Sequence, residues 1–170
     1  LAHPTNKVNI VSALRVLFRF WKEEGLLERD FSQFFESFRV RHPERVPSFF
    51  TKEEVLRIEN SIARSNAVGK RNYAMTLLAS RLGLRASDIA NLKFGEIDWD
   101  NNLLTITMQK TRKVIQLPLL AEVGNSIVDY LKNGRPKSSL DQVFLSSRAP
   151  YTGATKACVC AAINEIILKS

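Results

Sequence analysis

A mainly α-helical fold carrying one small antiparallel β-sheet, of the α+β class, is what this sequence predicts, and three observations predict it. Apolar residues recur at steps of three and four through most of the chain, the period of a helix with one buried face. After Asn102 the period changes: Leu104, Ile106 and Met108 alternate with Leu103, Thr105 and Thr107, as in a half-buried strand. Asp100-Asn101-Asn102 before that strand and Gln109 to Lys113 after it are turn-forming or charged, so neighbouring strands double back on one another.

The elements follow in order. Ile10, Leu14, Leu17, Phe18 and Trp21 line one face of a helix over 8–21, which Gly25 stops. Phe31, Phe34, Phe35 and Phe38 lie in a shorter helical or irregular stretch, expected to pack on that helix and not to form a base-stacking platform. Arg39 to Ser48 holds Pro43 and Pro47 among charged residues without apolar periodicity and reads as an extended linker. The chain thus divides into 1–42, a linker 43–50, and a main domain 51–170. Thr51 followed by Glu54 is a capping-box pattern opening a helix whose buried stripe is Val55, Ile58 and Ile62.

A second helix, about Lys70 to Leu82, is apolar on most sides and is expected deep in the domain. Gly83 breaks it, and a further helix runs from Arg85 to near Lys93. Ile97 and Trp99 lead into the turn at 100–102, and Val114 to Leu117 is the return partner of the 103–108 strand. Leu120, Val123, Ile127 and Leu131 form another amphipathic helix, Asp141 to Leu145 a short extended piece, and Thr155 to Leu168 a closing helix.

With 170 residues, 45% of them hydrophobic, the chain holds enough apolar material for a real core. No apolar run of about twenty residues exists, so nothing spans a membrane. The start, Leu1-Ala2-His3-Pro4, has neither Met nor the pattern of a signal peptide, and the chain reads as a cytoplasmic piece of something longer. Cys158 and Cys160, one residue apart in a helix, are poorly placed to bridge each other, and two distant histidines complete no metal-ligand spacing. Neither a metal nor another cofactor is expected. The formal charge of +8 favours a polyanionic partner. Arg41 and Arg45 lie around the linker, where solvation competes with contact to such a polyanion, and Lys110, Arg112 and Lys113 crowd one turn.

Arg85 carries the most information. It is delivered by the Gly83 bend onto the start of a helix, where a guanidinium with fixed donors adds to the positive helix end. Ser87 and Asp88 are residue types that satisfy the free amides of a first turn. An internal ion pair of Arg85 with Asp88 is the competing explanation.

The run Gly83-Leu84-Arg85-Ala86-Ser87-Asp88-Ile89 resembles the first arginine motif of the tyrosine recombinase (phage integrase) family. Upstream, Pro47-Ser48-Phe49-Phe50-Thr51-Lys52-Glu53-Glu54-Val55 resembles the family's entry into its catalytic domain. Downstream, Leu104 to Met108, Gln109-Lys110-Thr111-Arg112-Lys113 and Val114 to Pro118 resemble the hairpin bearing its catalytic lysine. Residues 1–42 resemble the end of the family's helical, SAM-like core-binding domain, although Arg29-Asp30 stand where Asn-Pro is frequent.

The resemblance implies a tyrosine recombinase catalytic-domain-like fold, incomplete at the C-terminus, and site-specific recombination or integration of double-stranded DNA by a dimer or tetramer. Strands are cut through a 3'-phosphotyrosyl intermediate without metal or nucleotide. Arg85 matches the arginine that holds the scissile phosphate, Lys110 the general acid on the leaving oxygen, with Lys113 as rival, and Asp88 the acidic residue that supports them. Arg41, Arg45, Arg112 and Lys113 are the remaining DNA-contact candidates. The family's His-x-x-Arg segment and tyrosine nucleophile have no match, and Tyr73, Tyr130 and Tyr151 stand in the wrong contexts. The chain is therefore expected to be inactive alone. A non-catalytic DNA-binding module or regulator is the alternative, and an interaction domain with incidental charge a third.

Overall fold

The computed structural model describes residues 4–35 and 49–170. The chain forms two compact units, Leu1–Phe49 and Phe50–Ser170. Arg41, Arg45, Phe38 and linker residues 43–48 lie outside the described residues.

In the first unit, helix α1 spans Pro4–Glu23. It starts earlier than the periodicity predicts because a proline suits the first helical position, where its missing N–H costs nothing. Gly25, at φ 72°, turns the chain after it. Asp30 then caps a 3-10 turn, Phe31–Phe34, by accepting from the Ser32 N–H at 2.7 Å. The Phe18 ring collects this segment: Trp21 meets it edge-on at 5.5 Å, Phe35 stacks at 5.4 Å and Phe31 lies at 6.1 Å. Phe34 is turned to solvent.

In the second unit, α2 (Lys52–Ser61) opens on the full capping box. The Thr51 hydroxyl accepts from the Glu54 N–H at 3.2 Å, and the Glu54 carboxylate accepts from the Thr51 N–H at 2.8 Å. The helix buries Ile58 and, beside it, Glu59. That carboxylate accepts from the Ser80 hydroxyl at 2.6 Å and from Arg81 at 3.1 and 2.6 Å. A charge is tolerated there because it is paired and hydrogen-bonded, and the pairing ties α2 to the end of α3 (Ala67–Leu82).

Helix α3 is the axis of the unit. It begins before Lys70 because Asn66 caps it, accepting from the Gly69 N–H at 2.8 Å. Met75, Leu77 and Leu78 are fully buried, each contributing about 1.5–3 kcal/mol. Around it pack α2, α4 (Ala86–Ala90), α5 (Ala121–Asn133) and α6 (Lys156–Lys169).

The sheet comprises β1 (Ile97–Asp98), β2 (Leu103–Thr107) and β3 (Val114–Pro118), antiparallel and in that order. Leu104 faces Leu117 and Ile106 faces Ile115. Leu104 and Ile106 point into the core while Thr105 and Thr107 point out, which is the alternation the sequence displays.

Two further elements differ from expectation. Helix α4 ends at Ala90 and not near Lys93, because Asn91 folds back, its side-chain amide donating to the Ser87 carbonyl at 2.7 Å. The buried Leu92 then enters the core and Phe94–Glu96 forms a 3-10 turn. Asp141 to Leu145 makes only single bridges, Gln142 to Lys93 and Leu145 to Gly153. It is held instead by Arg135, whose guanidinium donates to the carbonyls of Leu140, Gln142 and Val143 at 2.9–3.0 Å. Cys158 and Cys160 are both free thiols. Among the described residues no helix is long and apolar enough to cross a membrane.

Candidate nucleic-acid interface

Gly83 decides where Arg85 goes. It ends α3 in the left-handed region, φ 64° and ψ 23°, and its N–H closes the helix on the carbonyls of Ala79 and Leu78. Only glycine adopts this conformation without cost. Leu84 then turns into the core, and Arg85, in an extended conformation (φ −72°, ψ 149°), becomes the residue that starts α4. Its side chain is exposed. Among the described residues it makes neither a hydrogen bond nor an ion pair.

Ser87 and Asp88 do not cap α4: no side chain accepts a bond from its first turn. Asp88 points inward, 2% exposed, and its Oδ1 accepts from the backbone N–H of Gln109 at 2.9 Å. Oδ2 is buried without a partner among the described residues. The expected support is therefore directed at the β2–β3 hairpin and not at the Arg85 guanidinium. Asp88 is one helical turn from Arg85, with its N–H donating to the Arg85 carbonyl at 2.9 Å, and Gln109 immediately precedes Lys110. Asp88 thus ties the root of the Lys110 turn to the helix that begins at Arg85. No pattern in the sequence pairs Asp88 with Gln109, 21 residues apart.

The turn itself is closed by two backbone bonds, Met108 N–H to the Lys113 carbonyl at 2.9 Å and Arg112 N–H to the Met108 carbonyl at 2.8 Å. Arg112 takes the left-handed conformation, φ 57°. Lys110, Arg112 and Lys113 are all exposed, and none forms an ion pair among the described residues. The turn thus carries three exposed cations, and the Asp88–Gln109 bond ties its root to the helix that Arg85 starts. Lys113 borders the ladder, whereas Lys110 stands in the turn.

The tyrosines are elsewhere. Tyr130, on α5, is 1% exposed; its hydroxyl accepts from the Leu145 N–H at 3.4 Å, and burial pushes its phenol above the usual range. The Arg64 guanidinium lies 4.6 Å over the Tyr73 ring, and Tyr151 is exposed in the loop after Leu145. Among the described residues no group of His, Cys, Asp and Glu is arranged to hold a metal.

The chain resembles known proteins in sequence and in fold. Over 108 residues the chain is 38% identical to a protein named as an integrase/recombinase, y4rA, of Sinorhizobium fredii (strain NBRC 101917 / NGR234), covering 64% of this chain and 26% of that protein. Over 160 residues it is 24% identical to the tyrosine recombinase XerC of Staphylococcus aureus (strain JH9), covering 94% and 53%. The chain therefore spans about a quarter to a half of the length of these relatives. Among solved structures, the integrase of the Tn1549 transposon, in complex with a circular intermediate DNA, superposes with a TM-score of 0.67 at 18% identity, over 99% of this chain and 59% of that one. A lambda integrase tetramer bound to a Holliday junction gives 0.63 at 20% identity, over 94% and 44%. At these identities the likeness is one of fold. Residues 48–162, which include Arg85, Asp88 and the whole hairpin, match the model described as the phage integrase family, and the chain belongs to that family.

Proposed function

We propose that this chain supplies the phosphate-gripping front of a site-specific DNA recombinase that cuts and rejoins duplex DNA through a 3'-phosphotyrosyl intermediate. The observation that carries this reading is the exposed, unpaired Arg85, whose helix is bonded through Asp88 to the root of the Lys110 turn.

In such a reaction a tyrosine oxygen attacks the scissile phosphorus and the 5'-oxygen of the next nucleotide departs. Charge accumulates on the non-bridging oxygens, where a guanidinium donates two parallel hydrogen bonds. Among the described residues none of the Arg85 donors is taken. The departing oxygen needs a proton, and Lys110, an ammonium on a projecting turn, is the donor. Lys113 is the weaker candidate because it borders the return strand, whereas Lys110 stands within the turn. Arg112 and Lys113 contribute charge to the flanking backbone, as Arg41 and Arg45 do from the linker.

The attacking tyrosine and the remaining phosphate ligands belong, on this reading, to sequence outside these 170 residues. Tyr130 is the least suited of the three tyrosines present, since its buried phenol resists ionisation. The chain alone therefore binds DNA without cutting it, and the dimer or tetramer forms on DNA in a longer protein. Two measurements test the reading together. Affinity for a duplex should fall steeply with salt, and a nicked suicide duplex should yield no covalent adduct with this chain. Salt-insensitive binding, or none, overturns the DNA reading; an adduct overturns the assignment of the nucleophile to sequence elsewhere.

A further inference from the structure

A buried cation near the start of α3, the end opposite Arg85, forms no ion pair among the described residues. Arg71 is 5% exposed. Its guanidinium donates to the Leu145 carbonyl at 3.0 Å and to Asn72 Oδ1 at 3.0 and 3.2 Å, but forms no ion pair among the described residues. The contrast is with Glu59, the buried carboxylate that Arg81 pairs. Holding a charge out of water to satisfy one carbonyl and one amide oxygen is a poor exchange unless something anionic completes the set.

Arg71 lines a cavity of about 120 Å³, and none of the residues around it is acidic. One water needs about 10–15 Å³ of such space, so the cavity admits a group of phosphate size. Its other walls suit an anion. Ala67 and Val68 bring the first turn of α3, the positive end of a 16-residue helix. Ser147 and Tyr151 bring hydroxyls from an exposed loop that also carries Arg148, likewise without an ion pair among the described residues. Gly134 lets the end of α5 close on this turn, since a Cβ there would lie 3.2 Å from the Ala67 backbone.

We infer that this cavity binds a phosphodiester of the DNA backbone, through Arg71, the Ser147 and Tyr151 hydroxyls and the start of α3. The assignment rests on the DNA-binding reading above. Sixteen residues at 1.5 Å each separate the two ends of α3 by about 24 Å. The phosphate held here is therefore a different one from that at Arg85.

The test has two arms on the 170-residue chain. In the first, 15N-labelled protein is titrated with inorganic phosphate against chloride at equal ionic strength. A saturable shift of the Arg71 Nε–H resonance is expected, and its absence overturns the anion site whether or not the protein binds DNA. In the second, duplex binding is measured from low to moderate salt for wild type, Arg71→Gln and Ser147→Glu. The slope of log affinity against log salt should become shallower by about 0.9 in Arg71→Gln, the loss of one phosphate contact. Should Arg71→Gln fail to fold, the exposed Ser147→Glu, which places a carboxylate at the cavity, still reports by weakened binding. Wild-type binding with unchanged affinity and slope in the folded variants overturns the DNA assignment. Wild-type failure to bind DNA overturns the function proposed above instead, and the phosphate titration then decides the site by itself.

Discussion

The Asp88 carboxylate accepts a hydrogen bond from the Gln109 backbone N–H at 2.9 Å, joining the helix that starts at Arg85 to the turn that presents Lys110. Asp88→Ala removes the acceptor of this part-buried bond, which costs about 0.5–1.5 kcal/mol. Hydrogen exchange should localise the effect, with the Gln109 amide exchanging at least about tenfold faster while the protected amides of α3 slow only with global stability. Equal acceleration throughout the domain would mean that Asp88 supports the core and not the hairpin.

Gly83 aims Arg85 through its backbone alone. No atom lies within 4 Å of a Cβ built there, so Gly83→Ala meets conformational strain and not a clash. Urea unfolding should show a loss of about 1–2 kcal/mol, and Gly83→Asn a smaller one, since asparagine tolerates the left-handed region. A loss in Gly83→Ala below about 0.3 kcal/mol would contradict the strain argument.

Acid stability has an identifiable contributor. Asp129 accepts from Lys70 at 2.8 and 2.6 Å and from Asn133 at 2.7 Å, and the Lys70 bond above all holds its carboxyl below the usual carboxylate range. Because the folded value lies below the unfolded one, near 3.9, the stabilisation is complete above about pH 5 and is lost progressively as pH falls through the unfolded and then the folded value. Asp129 is 38% exposed, so the effect is at most about 1 kcal/mol. Asp129→Asn should flatten the acid limb of a stability profile by that amount and leave the slope above pH 5 unchanged.

Lys110 and Lys113 separate in a longer protein that carries the nucleophile. Lys110→Ala should lower cleavage about 10²–10⁴-fold and recover on a 5'-bridging phosphorothiolate, whose leaving sulfur needs no proton. Rescue of Lys113→Ala instead would exchange their roles.

The sequence disclosed what is local or periodic. Thr51 and Glu54 sit three residues apart, and their reciprocal bonds follow from spacing; Gly83 announces the bend before Arg85; Leu104 and Ile106 announce the strand. What it hid depends on contacts between distant segments. Asp88 has the chemistry of a helix cap, and only the return of the chain at Gln109 draws it inward. Arg71 stands beside Lys70 as one basic residue among many, yet burial against Leu145 sets it apart from the exposed cations. Arg135 likewise shows no pattern that foretells its clamp on Leu140 to Val143.

The central claim is that Arg85 is built to hold DNA and not to hold the fold. Arg85→Ala in this chain tests it, with urea unfolding and the salt dependence of duplex binding measured on the same preparation. Stability should stay within about 0.5 kcal/mol of wild type, while the slope of log affinity against log salt becomes shallower by about 0.9. A stability loss beyond about 1 kcal/mol with an unchanged slope would contradict the account.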